Sequence, residues 1–114
     1  MTLKGTELNH LFENIAACGG EGVSGVQLHI TKDGKLLRAT VAGKPVVEDR
    51  MYTVATIDYL ADGNDGMTAL IRAEKRECPQ GATLRSLFMD YVERQTAAGK
   101  KITSRMEGRI TVED

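Results

Sequence analysis

Aromatic residues make up only 4% of this 114-residue chain and tryptophan is absent, too few rings for a platform that stacks several bases of a nucleic acid. Positive charge is not in excess either. The 15 Lys and Arg stand interspersed against 16 Asp and Glu, a net charge of -1, so no basic stripe is available to follow a phosphate backbone and no nucleic-acid polymer is expected as a partner. Long apolar runs are missing: the longest, Ile15 to Cys18, is far below the roughly 20 residues of a membrane span. The chain enters an amphipathic helical pattern at once, without an apolar stretch and cleavage site, so it is expected to carry no secretory signal of its own. Cysteine is scarce. Cys18 and Cys78 lack metal-ligand spacing, and between a disulfide and two unpaired thiols the second is the plainer expectation, with Cys18 at the end of an apolar helix face. His10 and His29 cannot share a helix face, and the carboxylates of residues 62–66 stand at the wrong offsets for a calcium loop, so no metal site is expected.

What is present is patterning. From Thr6 to Cys18, Leu8, Leu11, Phe12, Ile15 and Ala16 recur at helical spacing, which predicts a helix burying one face, with Thr6 as its N-cap and Gly19-Gly20 as its stop. Val26, Leu28 and Ile30 alternate with polar residues, as do Leu37, Ala39 and Val41 on the return, so residues 26–42 read as a hairpin with a two-residue turn at Asp33-Gly34. Tyr52 to Ile57 predicts a third strand. Met67 to Ala73 fits a short helix or a strand equally well. Thr83 to Ala98 predicts a second helix, capped by Thr83 and ended by Gly99, with a core stripe of Leu84, Leu87, Phe88, Tyr91 and Val92. Arg109 to Val112 predicts a short closing strand. Without strict βαβ alternation these elements predict an α+β fold: one domain over residues 1–114, a mixed sheet of about four strands with two main helices packed on it.

Two stretches have a spelling that chemistry uses. Gly20-Glu21-Gly22-Val23-Ser24-Gly25 spells GxGxxG, but a helix precedes it and a strand follows, the reverse of a loop that aims a helix N-terminus at a pyrophosphate. It is not expected to hold a dinucleotide. Tyr59-Leu60-Ala61-Asp62-Gly63-Asn64-Asp65-Gly66 follows the third predicted strand and supplies a ring, two carboxylates, an amide and two turn-forming glycines, with Asp58 just before it. That is a binding-loop composition. The same residues also serve ordinary turns, with Tyr59 as a core or turn ring and Asp65 bonding its own backbone.

Read from Tyr52 to Gly66, Tyr-x-Val-Ala-Thr-x-Asp-Tyr-Leu-Ala-x-Gly-x-Asp-Gly resembles the signature loop of the C-terminal domain of the 5'-nucleotidase family, secreted metallophosphoesterases that include UDP-sugar hydrolases. Other anchors occur in the same order: Leu3-Lys4-Gly5-Thr6-Glu7-Leu8 with Phe12-Glu13 is similar to the family's helix opening, Val23-Ser24-Gly25 to its V-S-G turn, and Glu107-Gly108-Arg109-Ile110 to its closing strand. The resemblance implies that Tyr59 stacks on the base of a nucleoside or nucleotide and that Asp65 accepts hydrogen bonds from its ribose; Asp58, Asn64 and Ser24 are the further candidates expected to support that pocket. It implies as well a parent with a metallophosphatase N-terminal domain holding two divalent metals. This chain, expected to be truncated at its N-terminus, would then have no catalytic residue and no cofactor of its own. A periplasmic or secreted location follows from the same resemblance.

Departures from the family pattern set limits. No aromatic stands near Gly20-Glu21-Gly22 to close the other side of a base, Asn64 replaces a second loop glycine, Met67 replaces a ring after Asp65-Gly66, and the nucleotide-gripping arginines would lie before Met1. A non-catalytic structural or docking module that kept the fold and lost the pocket is the competing reading.

Overall fold

Leu8, Leu11, Phe12, Ile15 and Ala16 line the buried face of helix α1 (Gly5–Ala17) in the computed structural model, which describes residues 1–78, 80–101 and 107–113. A strand that the residue pattern does not announce, β1 (Thr2–Lys4), leads directly into α1. Thr6 does not cap the helix. Lys4 is the N-cap and no side chain bonds the first turn, because backbone carbonyls already serve it: Gly5 N donates to Arg50 O at 2.8 Å and Thr6 N to Glu48 O at 3.2 Å. At the other end Gly19 turns left-handed (φ 81°), and the Gly19 and Gly20 amides return to Ala16 O and Ile15 O, each at 3.0 Å.

Strands β2 (Val26–Thr31) and β3 (Leu36–Val41) pair antiparallel as the alternation predicts. The turn between them is wider than two residues: Lys32 to Lys35 separate the strands, and Thr31 closes the loop by donating its amide to Lys35 O (2.9 Å) and accepting the Lys35 amide on Oγ1 (3.0 Å). The two-residue turn comes next, at Ala42-Gly43, both with positive φ (52° and 79°), the combination that suits hairpin twist. It leads to the short edge strand β4 (Lys44–Pro45), where a proline costs no interior ladder bond. Strand β5 (Met51–Thr53) is shorter than the predicted Tyr52–Ile57 and does not join this sheet; it pairs with β1 in a separate two-stranded ribbon.

The four-stranded sheet has the order β4-β3-β2-β6, and its last member, β6 (Ile110–Glu113), runs parallel to β2. This is the expected mixed sheet of an α+β fold, although the strands that compose it are not all those the pattern suggested. The core joins Leu28 and Ile30 of β2 to the apolar face of α1, to Leu3, and to Met67, Ala69 and Leu70. Of the two forms expected for Met67 to Ala73 the short helix is the one adopted, as a 3-10 helix over Thr68–Arg72.

The chain groups into two units, Met1–Arg76 with Gly108–Asp114, and Glu77–Glu107. The second contains α3 (Leu84–Ala97), whose start matches expectation closely: Thr83 accepts the Ser86 amide at 3.0 Å and Ser86 Oγ accepts the Thr83 amide at 3.0 Å, a reciprocal cap. Its predicted core stripe is not a core. Leu84, Leu87, Phe88 and Tyr91 are exposed, Val92 is half-buried, and no residue of α3 is buried, since an amphipathic period defines an apolar face without supplying a cover for it. Both cysteines are free and exposed, so Cys18 does not extend the buried face of α1. No helix among the described residues is long and apolar enough to cross a membrane.

Candidate functional site

After β5 the chain runs without a ladder to the short helix α2 (Asp58–Ala61), and Asp58, its first residue, accepts the Tyr59 amide on Oδ1 at 2.8 Å. Three left-handed residues then fold the chain back: Gly63 (φ 90°), Asp65 (φ 54°) and Gly66 (φ 80°). The glycines adopt that conformation freely, whereas Asp65 is one of only two non-glycine residues with positive φ among those described. The reversal has a clear result. Tyr59 Oη reaches Asp65 Oδ1 at 3.4 Å, a long contact compared with ordinary O–H···O bonds, and Asn64 Nδ2 donates to Tyr59 O at 2.8 Å, tying the corner shut.

Tyr59 is 51% exposed, and Asp58, Asn64 and Asp65 are exposed beside it. Four of the five residues singled out in the sequence therefore form one surface corner. Asn64 spends its amide within the loop, and Asp65 keeps its carboxylate outward with a single phenol as its described partner. Ser24, the fifth, lies apart from them in the wall of a neighbouring cleft of about 690 Å³. That cleft is chiefly apolar, floored by Leu8, Phe12 and Ile15 of α1, and Leu60 reaches it while Tyr59 and Asp65 do not. The apolar cleft and the polar corner are thus neighbours along the chain and not one cavity.

Several residues that shape the site went unmarked in the sequence. Arg109 borders the cleft and donates from Nη1 to Val23 O at 2.7 Å, fixing the turn that carries Ser24. Arg76 Nη1 bonds Asp62 Oδ1 at 2.7 Å and steadies the stem of the loop. Cys18 Sγ donates to the carbonyl of Asp65 at 3.1 Å, and Asn14 Oδ1 accepts the Ala69 amide at 3.0 Å. Of these, Asn14 left a signal: asparagine in the middle of a helix is a weak helix former and points to a partner outside the helix.

Farther along α1, Glu7 Oε2 accepts from Arg72 Nε at 2.7 Å and lies 3.3 Å from His10 Nδ1. The Arg72 hydrogen bond, helped by His10 and opposed by burial, holds the Glu7 carboxyl below its ordinary range. Among the described residues no group of three or more His, Cys, Asp or Glu side chains is placed to hold a metal ion.

Comparison with known proteins identifies the family. The model of the 5'-nucleotidase C-terminal domain family matches residues 1–72. A cell wall protein of Listeria monocytogenes is 37% identical over 70 residues, which are 61% of this chain and 9% of that protein. The crystal structure of a 5'-nucleotidase precursor from Thermus thermophilus superposes with a TM-score of 0.78 at 27% identity, covering 98% of this chain and 24% of that one. This chain therefore spans a minor part of the length of either relative. With more than half of its residues matched by the family model, the chain belongs to the 5'-nucleotidase C-terminal domain family.

Proposed function

We propose that this chain is the nucleoside-recognising part of a bacterial 5'-nucleotidase-type phosphohydrolase and is catalytically inert by itself. The observation that carries the reading is the exposed Tyr59 ring with the Asp65 carboxylate at its phenol edge, held on a corner with three left-handed residues. A ring open on one side offers a base about 1–3 kcal/mol of stacking. A carboxylate acceptor facing a ribose diol adds about 1.5–3 kcal/mol for each charge-assisted bond. Catalysis would belong to a metallophosphatase domain joined to this one, using two divalent metals, and the site of action would be periplasmic or at the cell surface, in keeping with the name of the Listeria relative.

The test is titration with adenosine and with uridine, followed by the NMR signals of the Tyr59 ring. Binding in the millimolar range is expected, with Tyr59→Ala and Asp65→Ala each weakening it about tenfold or more, the equivalent of at least 1.4 kcal/mol. If neither nucleoside perturbs Tyr59 at high millimolar concentration, the structural-module reading replaces this one. Phosphate release from nucleoside monophosphates by the isolated chain with added manganese would overturn its inertness.

A further inference from the structure

We propose that Asn14 of α1 and Cys18 at its C-cap are positioning residues for the nucleoside corner, a role that rests on the reading above. They stand one helical turn apart and so project from the same face of α1. Their partners run the opposite way: Asn14 holds the amide of Ala69, and Cys18 holds the carbonyl of Asp65. One side of the helix thus grips both ends of the segment that contains Asp65, Gly66 and Met67.

The grip at Cys18 acts on the residue that matters. Its thiol bonds the main chain of Asp65, whose left-handed conformation sets the direction in which the carboxylate leaves the backbone. Cys18 is itself fixed, since its amide bonds Asn14 O and Ile15 O, both at 3.2 Å, as the C-cap of α1. Gly66 lies beside it: a Cβ there would stand 3.6 Å from Cys18 Sγ, an ordinary contact distance. Asn14 braces the other side of the turn through Ala69, which is fully buried and so provides a firm anchor. Glu7, two turns before Asn14, clasps Arg72 beyond that anchor and lies outside the binding machinery.

The experiment compares Cys18→Ala, Cys18→Ser, Asn14→Ala, Asn14→Asp and, as a stability control, Glu7→Gln. Three quantities are read in each: adenosine affinity, thermal midpoint, and the Asp65 and Gly66 amide shifts without ligand. Loss of one modest hydrogen bond predicts about 2- to 10-fold weaker adenosine binding for Cys18→Ala and Asn14→Ala. Cys18→Ser, which keeps a donor, and Asn14→Asp, which keeps an acceptor, are expected to restore most of it. Glu7→Gln should lower the midpoint while leaving affinity and the two amides unchanged. The proposal is overturned if Cys18→Ala and Asn14→Ala bind as the parent does, if the conservative variants are no better than alanine, or if affinity merely follows the midpoint across the set. Should the parent chain bind neither nucleoside, the recognition reading fails separately, and the amide shifts alone decide: displacement in Cys18→Ala with none in Glu7→Gln supports positioning, and undisturbed Asp65 and Gly66 overturn it.

Discussion

A methyl group has no place on Gly5. Its Cβ would overlap the carbonyl of Val47 and stand 2.8 Å from the Cα of Glu48, both backbone, so no side chain can rotate away to make room. The approach is close because Gly5 N must reach Arg50 O at the start of a helix that no side chain caps. Gly5→Ala is therefore expected to destabilise the first unit by about 1–3 kcal/mol, the range for overpacking, seen as a lower urea midpoint with an unchanged slope. Glu7 makes a different prediction. Its carboxyl lies below the ordinary value of 4.5 in the folded chain, first because of Arg72, so the unfolded state binds its proton more readily. The resulting stabilisation is complete above that ordinary value and fades as pH falls through the lower folded one. Glu7→Gln should lose up to about 1 kcal/mol at neutral pH, the scale of a solvent-exposed ion pair, and the gap to the parent should close in acid. A gap that stays constant from neutral pH to well below the ordinary value would show that the Arg72 pair is not its source.

Two helices with the same apolar rhythm have opposite fates. In α1 the stripe is core, with Phe12 only 2% exposed, whereas in α3 the ring at the equivalent rank, Phe88, is 60% exposed. Phe12→Ala is expected to cost about 3–5 kcal/mol and Phe88→Ala under about 1 kcal/mol in urea unfolding, because only the first leaves a cavity. Equal losses would mean that Phe88 is covered after all. This contrast shows what could be read beforehand. Local signals were reliable: the period of α1, the alternation of β2 and β3, the Thr83 cap and the corner at Gly63 to Gly66 all depend on near neighbours along the chain. What escaped depends on distant partners. Three residues, Thr2 to Lys4, are too few to show an alternation, so β1 becomes visible only through its pairing with β5. The same limit applies at the site: Tyr59, Asn64 and Asp65 meet through six or fewer residues of chain, while Cys18 is 47 residues from Asp65 and carries no mark of that contact.

The first unit is built from both ends of the chain. The family model accounts for residues 1–72, yet the sheet is completed by β6, which returns from the far terminus to lie parallel to β2. Ile110 packs against the core cluster there, and Leu28 N donates to Arg109 O at 2.7 Å. Arg109 in turn holds Val23 O, so the turn that carries Ser24 depends on the same return. The Thermus structure covers 98% of this chain, which places that return within the architecture the two share. Without it β2 would become an edge strand with its amides and carbonyls unpaired beside Leu28 and Ile30, both fully buried in the whole chain. A chain ending at Glu107 should therefore unfold at clearly lower urea and aggregate more readily than residues 1–114, with the amides of Val23 and Ser24 shifted as well. If it keeps the full midpoint, residues 1–76 are the folding unit and β6 is an addition to a sheet that closes without it.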